Sequence, residues 1–408
     1  MLNADGVREL AYVVEIDAIE PITGSDNCEA AVVGGWRVMT RKGTFQPGDL
    51  AVYFEIDSQV PATEQFAFLE KKHYKIKTQK YTFGGKGNFV SQGLLMAASD
   101  FGWETVKSED GSILSINGYH EGDFLTQELG VTYADPEDNK RKAKSADKYQ
   151  KMAQRMGKKF SKQPYKWLMK RNWGKKLLFV FFGKKKDKRG AWPAWVVKTD
   201  EERIQNLAHM IPSFQEEEWF ATEKVDGTST TFTMKGFGRY REFYVCSRNV
   251  VFDKPDKTCF YDTNVYTEMA EKYNMEAVLA DLLDKWSAVC DFITIQGETY
   301  GAGVQKRDYS LDGHNLAVFN VIFGYEDGHT ERLNPFDMKE LMEEYNIPTV
   351  PIVAEHVQIP GTCDEILAMA GGPSAIDGLP REGLVFRTYD GARSFKAVDN
   401  NFLLQYHG

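Results

Sequence analysis

The 50 residues from Lys140 to Arg189 hold 20 lysines and arginines against two acids, Asp147 and Asp187, a local charge of +18 in a chain whose net charge is −9. A stretch that repels itself so strongly cannot collapse into a core of its own, so it divides the chain. The expected layout is an N-terminal domain over residues 1–130, a basic, partly helical insertion or linker over 131–195, and a C-terminal domain over 196–408. The remainder of the chain is left at −27, and that segregation points to a phosphate-rich partner for the basic segment. Tyr149, Phe160, Tyr165, Trp167 and Trp173 are interleaved with the cations. Cations neutralise phosphates and rings stack on bases. The same rings would also serve to anchor the segment, and a charge run can simply face water. Lys158, Lys159, Lys184, Lys185 and Lys186 are the candidate nucleic-acid contacts. Ser145 to Met156, free of Gly and Pro, reads as a helix, and Leu177 to Phe182 as a buried strand.

With 408 residues, 42% of them hydrophobic, the chain can bury two or three ordinary cores. Met1 to Glu9 carries no apolar leader, and the longest bare apolar run, Leu177 to Phe182, is far short of the ~20 residues a membrane helix needs. The expectation is a cytoplasmic protein with no membrane partner. Five cysteines without a C-x-x-C pair, and scattered histidines, speak against zinc and disulfide frameworks.

Residues 10 to about 105 read as short strands with glycine turns. Val14, Ile16 and Ala18 alternate with Glu15 and Asp17; Gly34-Gly35 precedes Trp36 to Thr40, and Gln46-Pro47-Gly48-Asp49 turns into Leu50 to Ile56. Such a pattern suits a small OB-like β-barrel, a fold that serves nucleic-acid proteins. Beyond the basic segment, Thr199-Asp200-Glu201-Glu202 reads as a helix N-cap with acids in the first turn. Glu268 to Trp286 reads as one amphipathic helix through Met269, Tyr273, Ala277 and Ala280, and Phe336 to Tyr345 as another. Strands are expected at Thr228 to Met234, Phe243 to Cys246, Phe292 to Gln296, Leu316 to Phe323, Gly383 to Thr388 and Arg393 to Val398. The class is therefore α+β, with antiparallel sheets and flanking helices in the C-terminal domain.

The chemistry concentrates at Glu223-Lys224-Val225-Asp226-Gly227-Thr228. A lysine, a carboxylate and a glycine within four residues are what attaching a nucleotide to an amine requires, because glycine lets backbone approach a phosphate closely. Four clusters follow. Ser247-Arg248-Asn249 offers a guanidinium for a ribose hydroxyl or a phosphate, or else a surface ion pair. Gln296-Gly297-Glu298 puts a carboxylate at the end of an apolar strand. Phe319 lies in a strand where it would sandwich a purine or join the core. Arg381-Glu382-Gly383-Leu384-Val385-Phe386-Arg387 and Arg393-Ser394-Phe395-Lys396 form a hairpin that brings Glu382 and Lys396 into one sheet.

This ordered set resembles the motifs of the covalent nucleotidyltransferases, the superfamily of ATP-dependent DNA and RNA ligases and mRNA capping enzymes, over about residues 196 to 408. The Lys198 to Asn206 lead-in and the barrel-like N-terminal region resemble RNA ligases that carry an N-terminal OB-fold domain. That resemblance implies an ATP-dependent ligase joining 3'-hydroxyl and 5'-phosphate ends of RNA or a nicked RNA-containing duplex, in RNA repair, with ATP and Mg²⁺ or Mn²⁺ as cofactors. It implies Lys224 as the adenylated nucleophile, with Glu223 beside the adenine and Asp226 and Gly227 at the nucleotide. Arg248 and Glu298 would hold ribose or phosphates, Phe319 would stack on adenine, Glu382 and Asp226 would serve the metal, and Lys396 would contact the α-phosphate. The ten residues after Val398 hold no C-terminal OB domain of the kind DNA ligases and capping enzymes carry, which turns the expectation towards RNA ligases. Relatives often have a second lysine where this chain has Val398; either a further cation comes from elsewhere, for example Arg393, or none is needed. The competing readings are a DNA nick ligase and a non-catalytic nucleic-acid-binding protein with a degenerate ligase core.

Overall fold

Alternation along the N-terminal strands decides how the first domain packs. In the computed structural model, which describes residues 1, 3, 7–134, 164–182, 192–197, 200–236, 238–252, 264–286 and 290–406, the strand Leu50–Phe54 is buried on both faces. It is the middle of an antiparallel sheet, between Ala11–Glu15 and Leu94–Ala97. Ala51 and Tyr53 face a second sheet, Ala18–Pro21, Cys28–Val33 and Trp36–Arg41, and pack with Trp36, Val33 and Ile16. Leu50, Val52 and Phe54 face the other way, under Phe66, Leu69, Ile116 and Leu125. Gly34 and Gly35 have φ +52° and +82°, the left-handed pair that a tight hairpin demands. This is the expected OB-like body.

The C-terminal domain is built on two antiparallel sheets. One has the order Ile352–Val357, Trp219–Lys224, Gly383–Thr388, Ser394–Val398. The other runs Val251–Phe252, Glu242–Ser247, Thr228–Lys235, Phe292–Gly301, His314–Gly324, Thr330–Arg332. Trp219–Lys224 and Thr228–Lys235 are consecutive in the chain, so the Val225–Gly227 turn passes directly from one sheet to the other. The large sheet buries its outer face under Val265–Lys272 and Met275–Trp286. The smaller one packs Trp219, Phe386 and Phe395 against Ile204, Ile211, Phe214 and the helix Cys363–Ala370.

Three expectations are corrected here. Leu177 to Phe182 is the C-terminal part of a helix, Asn172–Phe182, and not a strand. Six apolar residues carry no period that separates strand from helix, and only Val180 is β-branched, so the run continues the turn begun at Asn172. Glu268 to Trp286 is two helices, Val265–Lys272 and Met275–Trp286, broken where Asn274 takes φ +47°. Asn tolerates that conformation, and the break moves the buried stripe onto Met275, Val278, Leu279 and Leu282 while Ala277 is left exposed. The acids at Asp200 to Glu202 lie outside any helix: Arg203 is extended, and a 3₁₀ turn begins only at Ile204. Thr199, the expected helix at Ser145 to Met156, and Lys158, Lys159, Lys184, Lys185 and Lys186 lie outside the described residues.

The two domains meet at a tight seam. A Cβ on Gly35 would stand 2.6 Å from the Cys363 sulfur. Arg37 pairs with Glu20 at 3.0 Å and with Asp364 at 3.2 Å, and Val90 packs with Val398 and Leu403. Among the described residues no helix is long and apolar enough to cross a membrane.

Candidate active site

Lys224 ends its strand opposite Gly383, which places its side chain beside Glu382. The ammonium donates to the Glu382 carboxylate at 2.7 Å. Burial pulls the Lys224 pKa down, yet Glu382, Glu298 and Asp226 together outweigh burial and hold it above its ordinary value. Burial pushes the Glu298 carboxyl up to about 8, with Lys224 opposing the rise and Glu382 and Asp226 adding to it. One amine thus sits among three carboxylates.

The turn after Lys224 is fixed from two sides. The Asp226 backbone N–H donates to the Tyr309 hydroxyl at 2.7 Å, and Gln305 Nε2 donates to the Gly227 carbonyl at 2.8 Å. Gly227 lies so close to the neighbouring strand that a Cβ would meet the Thr299 carbonyl oxygen at 2.3 Å and Glu298 Cγ at 2.9 Å. Only glycine lets this turn approach the Glu298 strand. Glu223 points the other way and is buried; Ser374 Oγ donates to it at 2.5 Å and the Ala375 N–H at 2.8 Å. That loop is joined to the Tyr309 loop by the buried Arg307–Asp377 pair. Phe319 is half-buried against Val225, Tyr300, Tyr309 and Ile376, so its ring stands beside the Lys224–Gly227 turn. Arg387 Nη1 donates to the Phe319 carbonyl and to Asn320 Oδ1, both at 2.9 Å, and holds that strand in place.

Near Lys224, cations gather around Asp200. Val385 pairs with Lys396, so Lys396 is two residues along from the register of Lys224. Its ammonium donates to Asp200 at 3.1 Å. Asp200 also pairs with Arg248, an exposed guanidinium. Burial lowers the Lys396 pKa; Asp200 opposes this, and Arg203 and Lys224 add to it. Arg203 bridges to the Lys396 strand and sits 5.9 Å over the Trp36 ring of the N-terminal domain. Its buried Nη1 has no hydrogen-bond partner.

The structure therefore brings Asp226, Gly227, Glu298, Phe319 and Glu382 around Lys224 and the turn that follows it, with Lys396 and Arg248 joined through Asp200. Arg393 does not join them, because it pairs with Glu217 at 3.2 Å and donates to Ser213 at 3.1 Å. Asp200, Arg203, Tyr309 and Ser374 escaped the sequence reading. The first two lie within the Lys198 to Asn206 lead-in, where acids followed by a basic residue imitate a helix start; the others carry no local signal. Among the described residues no three Asp, Glu, His or Cys side chains converge closely enough to enclose an ion.

A ligase-type nucleotidyltransferase domain behind an OB-fold domain is the class this fold and cleft define. Residues 217–398 match the RNA ligase family and residues 10–97 an OB-fold domain family. It is similar along its whole length to an RNA ligase of Naegleria gruberi. The form of that ligase with pyrophosphate aligns with TM-score 0.63 at 25% identity, over 98% of this chain and 99% of the other. A mutant with ATP and manganese gives 0.64 at 25%, over 98% and 100%. A mutant with AMP and manganese gives 0.63 at 25%, over 98% and 99%. No curated protein sequence matches the chain significantly.

Proposed function

We propose that the chain seals RNA through a covalent lysyl-AMP intermediate on Lys224, with ATP as the nucleotide donor. The observation that carries this reading is a half-buried lysine 2.7 Å from Glu382, beside a turn that only glycine can close. The Nζ of Lys224 attacks the α-phosphorus of ATP; a P–N bond forms, and the P–O bond to pyrophosphate breaks. An RNA 5'-phosphate oxygen then attacks the AMP phosphorus: a P–O–P anhydride forms, the P–N bond breaks and the Lys224 amine is returned. A 3'-hydroxyl attacks that activated end, forms the phosphodiester and releases AMP.

The attacking amine must be unprotonated, and its carboxylate neighbours favour the ammonium. Asp226 and Glu382 are the oxygen donors that would hold Mg²⁺ or Mn²⁺, an ion that keeps most of its water when one or two carboxylates and substrate phosphates bind it. Such an ion supplies positive charge against the carboxylates and the phosphate, easing loss of the lysine proton. Phe319 stacks on the adenine, and Glu223 flanks the base through the Ser374 loop it holds. Arg248 and Glu298 take the ribose or phosphates. Lys396 turns from Asp200 to the α-phosphate, and Arg203 stands where a second cation is wanted. We read the chain as a cytoplasmic RNA-repair enzyme.

The test pairs two assays. Labelled ATP with Mg²⁺ or Mn²⁺ should mark the native protein and leave Lys224→Ala unmarked; equal marking of both contradicts the assignment. Nicks carrying RNA or DNA at the 3'-hydroxyl side should be sealed preferentially when that side is RNA. Robust sealing of all-DNA nicks with no preference would make the chain a DNA nick ligase instead.

A further inference from the structure

In the chain between the two domains lies a helical pair, Tyr165–Met169 and Asn172–Phe182, of which Leu178 is buried. The two helices are pressed together at Gly174, where a Cβ would stand 2.2 Å from the Leu168 carbonyl oxygen. Trp167 and Trp173 meet edge to face at 5.8 Å. Neither is hidden by that contact: Trp167 is 43% exposed, Trp173 54% and the nearby Leu177 44%. Residues 164–182 contain Lys166, Lys170, Arg171, Lys175 and Lys176 and no acid.

The arrangement of charge and ring selects the partner. A helix that lies on a membrane separates its cations from its apolar face. Here the Arg171 guanidinium sits 3.9 Å over the Trp167 ring, and Lys170 and Lys176 are exposed around the same pair, so cations and indoles share one surface. A single nucleic-acid strand offers the complement, phosphates for the cations and unpaired bases for the rings. A duplex offers phosphates alone, its bases being stacked inside.

Resting on the RNA ligase reading above, we propose that this helical pair is a clamp for single-stranded RNA beside the break, with Trp167 and Trp173 as its stacking platform and Lys166, Lys170, Arg171 and Lys176 as its phosphate contacts. The clamp holds the end while the cleft activates it. It acts on RNA binding and sealing, and it takes no part in the reaction of Lys224 with ATP.

Three full-length proteins test this: native, Trp167→Ala/Trp173→Ala, and Lys166→Gln/Lys170→Gln/Lys176→Gln. Binding is read by fluorescence anisotropy with a fluorescein-labelled single-stranded RNA of about 20 nucleotides, longer than one stacking site. The indole variant should bind about tenfold more weakly with its salt dependence unchanged. The lysine variant should lose affinity and have a log–log salt slope shallower by about 2, one phosphate contact being worth ~0.7 on a single strand. Both should still form the lysyl-AMP adduct at the native rate, and Trp167→Phe/Trp173→Phe should recover most of the lost affinity.

Binding of the indole variant within about twofold of native overturns the clamp. Equal weakening on blunt duplex RNA overturns its single-strand character. Sedimentation with phosphatidylserine vesicles that is lost in the indole variant, while RNA binding is kept, makes the surface a membrane contact. Loss of the adduct in the variants makes the pair part of the transferase core. A native protein that forms no adduct, yet binds RNA through these residues, overturns the ligase reading and leaves the clamp standing.

Discussion

Two lysines in one four-stranded sheet have opposite electrical surroundings. Lys224 faces Glu382, Glu298 and Asp226, and those charges raise its pKa in spite of burial. Lys396 has Asp200 on one side and the cations Arg203 and Lys224 on the other, and burial lowers its pKa. The difference teaches that two lysines of one sheet can be held in opposite ways: carboxylates favour the ammonium of Lys224, whereas burial and nearby cations disfavour that of Lys396. On the function proposed above, the first would be the nucleophile and the second would meet a phosphate.

The contrast can be broken from either side. Lys224→Ala should reduce ATP-dependent sealing to background, while sealing of an RNA whose 5' end is already adenylated should survive, since that substrate bypasses the lysine. Loss of both reactions would show that Lys224 acts beyond the first step. Lys396→Ala should slow adduct formation by about 10²- to 10³-fold, the size expected when one preorganised donor to a developing phosphate charge is removed. Single-turnover labelling measures it, and a near-native rate would deny Lys396 the α-phosphate.

The pH profile sharpens the comparison further. The folded pKa of Lys224 lies above its ordinary value, so the protonated form prevails through neutral pH and the reactive amine fraction grows by about tenfold per unit as pH rises towards that pKa. Adduct formation at saturating ATP and metal should climb accordingly, and Glu298→Gln, which removes a charge that raises the Lys224 pKa once pH passes about 8, should move the upper part of the climb to lower pH. A profile that falls with rising pH would reverse the assigned sign. The smallest effect belongs to Asp200→Asn, which frees Lys396 and Arg248. The Asp200–Arg248 pair is exposed and such pairs contribute about 0.2–1 kcal/mol. The KM for ATP should therefore shift by at most about fivefold with kcat nearly kept, and a collapse of kcat would make Asp200 part of the reaction.

The sequence was most readable where chemistry or a tight turn demands a particular residue type. Gly227 and Gly34-Gly35 announce close approach and a hairpin, and Glu382, just before Gly383–Thr388, comes near Lys396 because the turn between the two paired strands is short. It was least readable where a helix ends or where an ion pair spans the chain. Asn274 breaks a helix that composition alone would continue. Leu177 to Phe182 has no periodicity to choose between strand and helix. Asp200 looked like a first-turn helix acid because its partners, Arg248 and Lys396, are 48 and 196 residues away. Glu201 meets Arg387 across 186 residues, again with nothing local to show it.

Peptide mapping of the AMP-labelled native protein tests the division between the two lysines most directly. After reaction with ATP and Mg²⁺ or Mn²⁺, the adduct should lie on Lys224 and on no other lysine. AMP on Lys396, or label spread over several lysines, would contradict it.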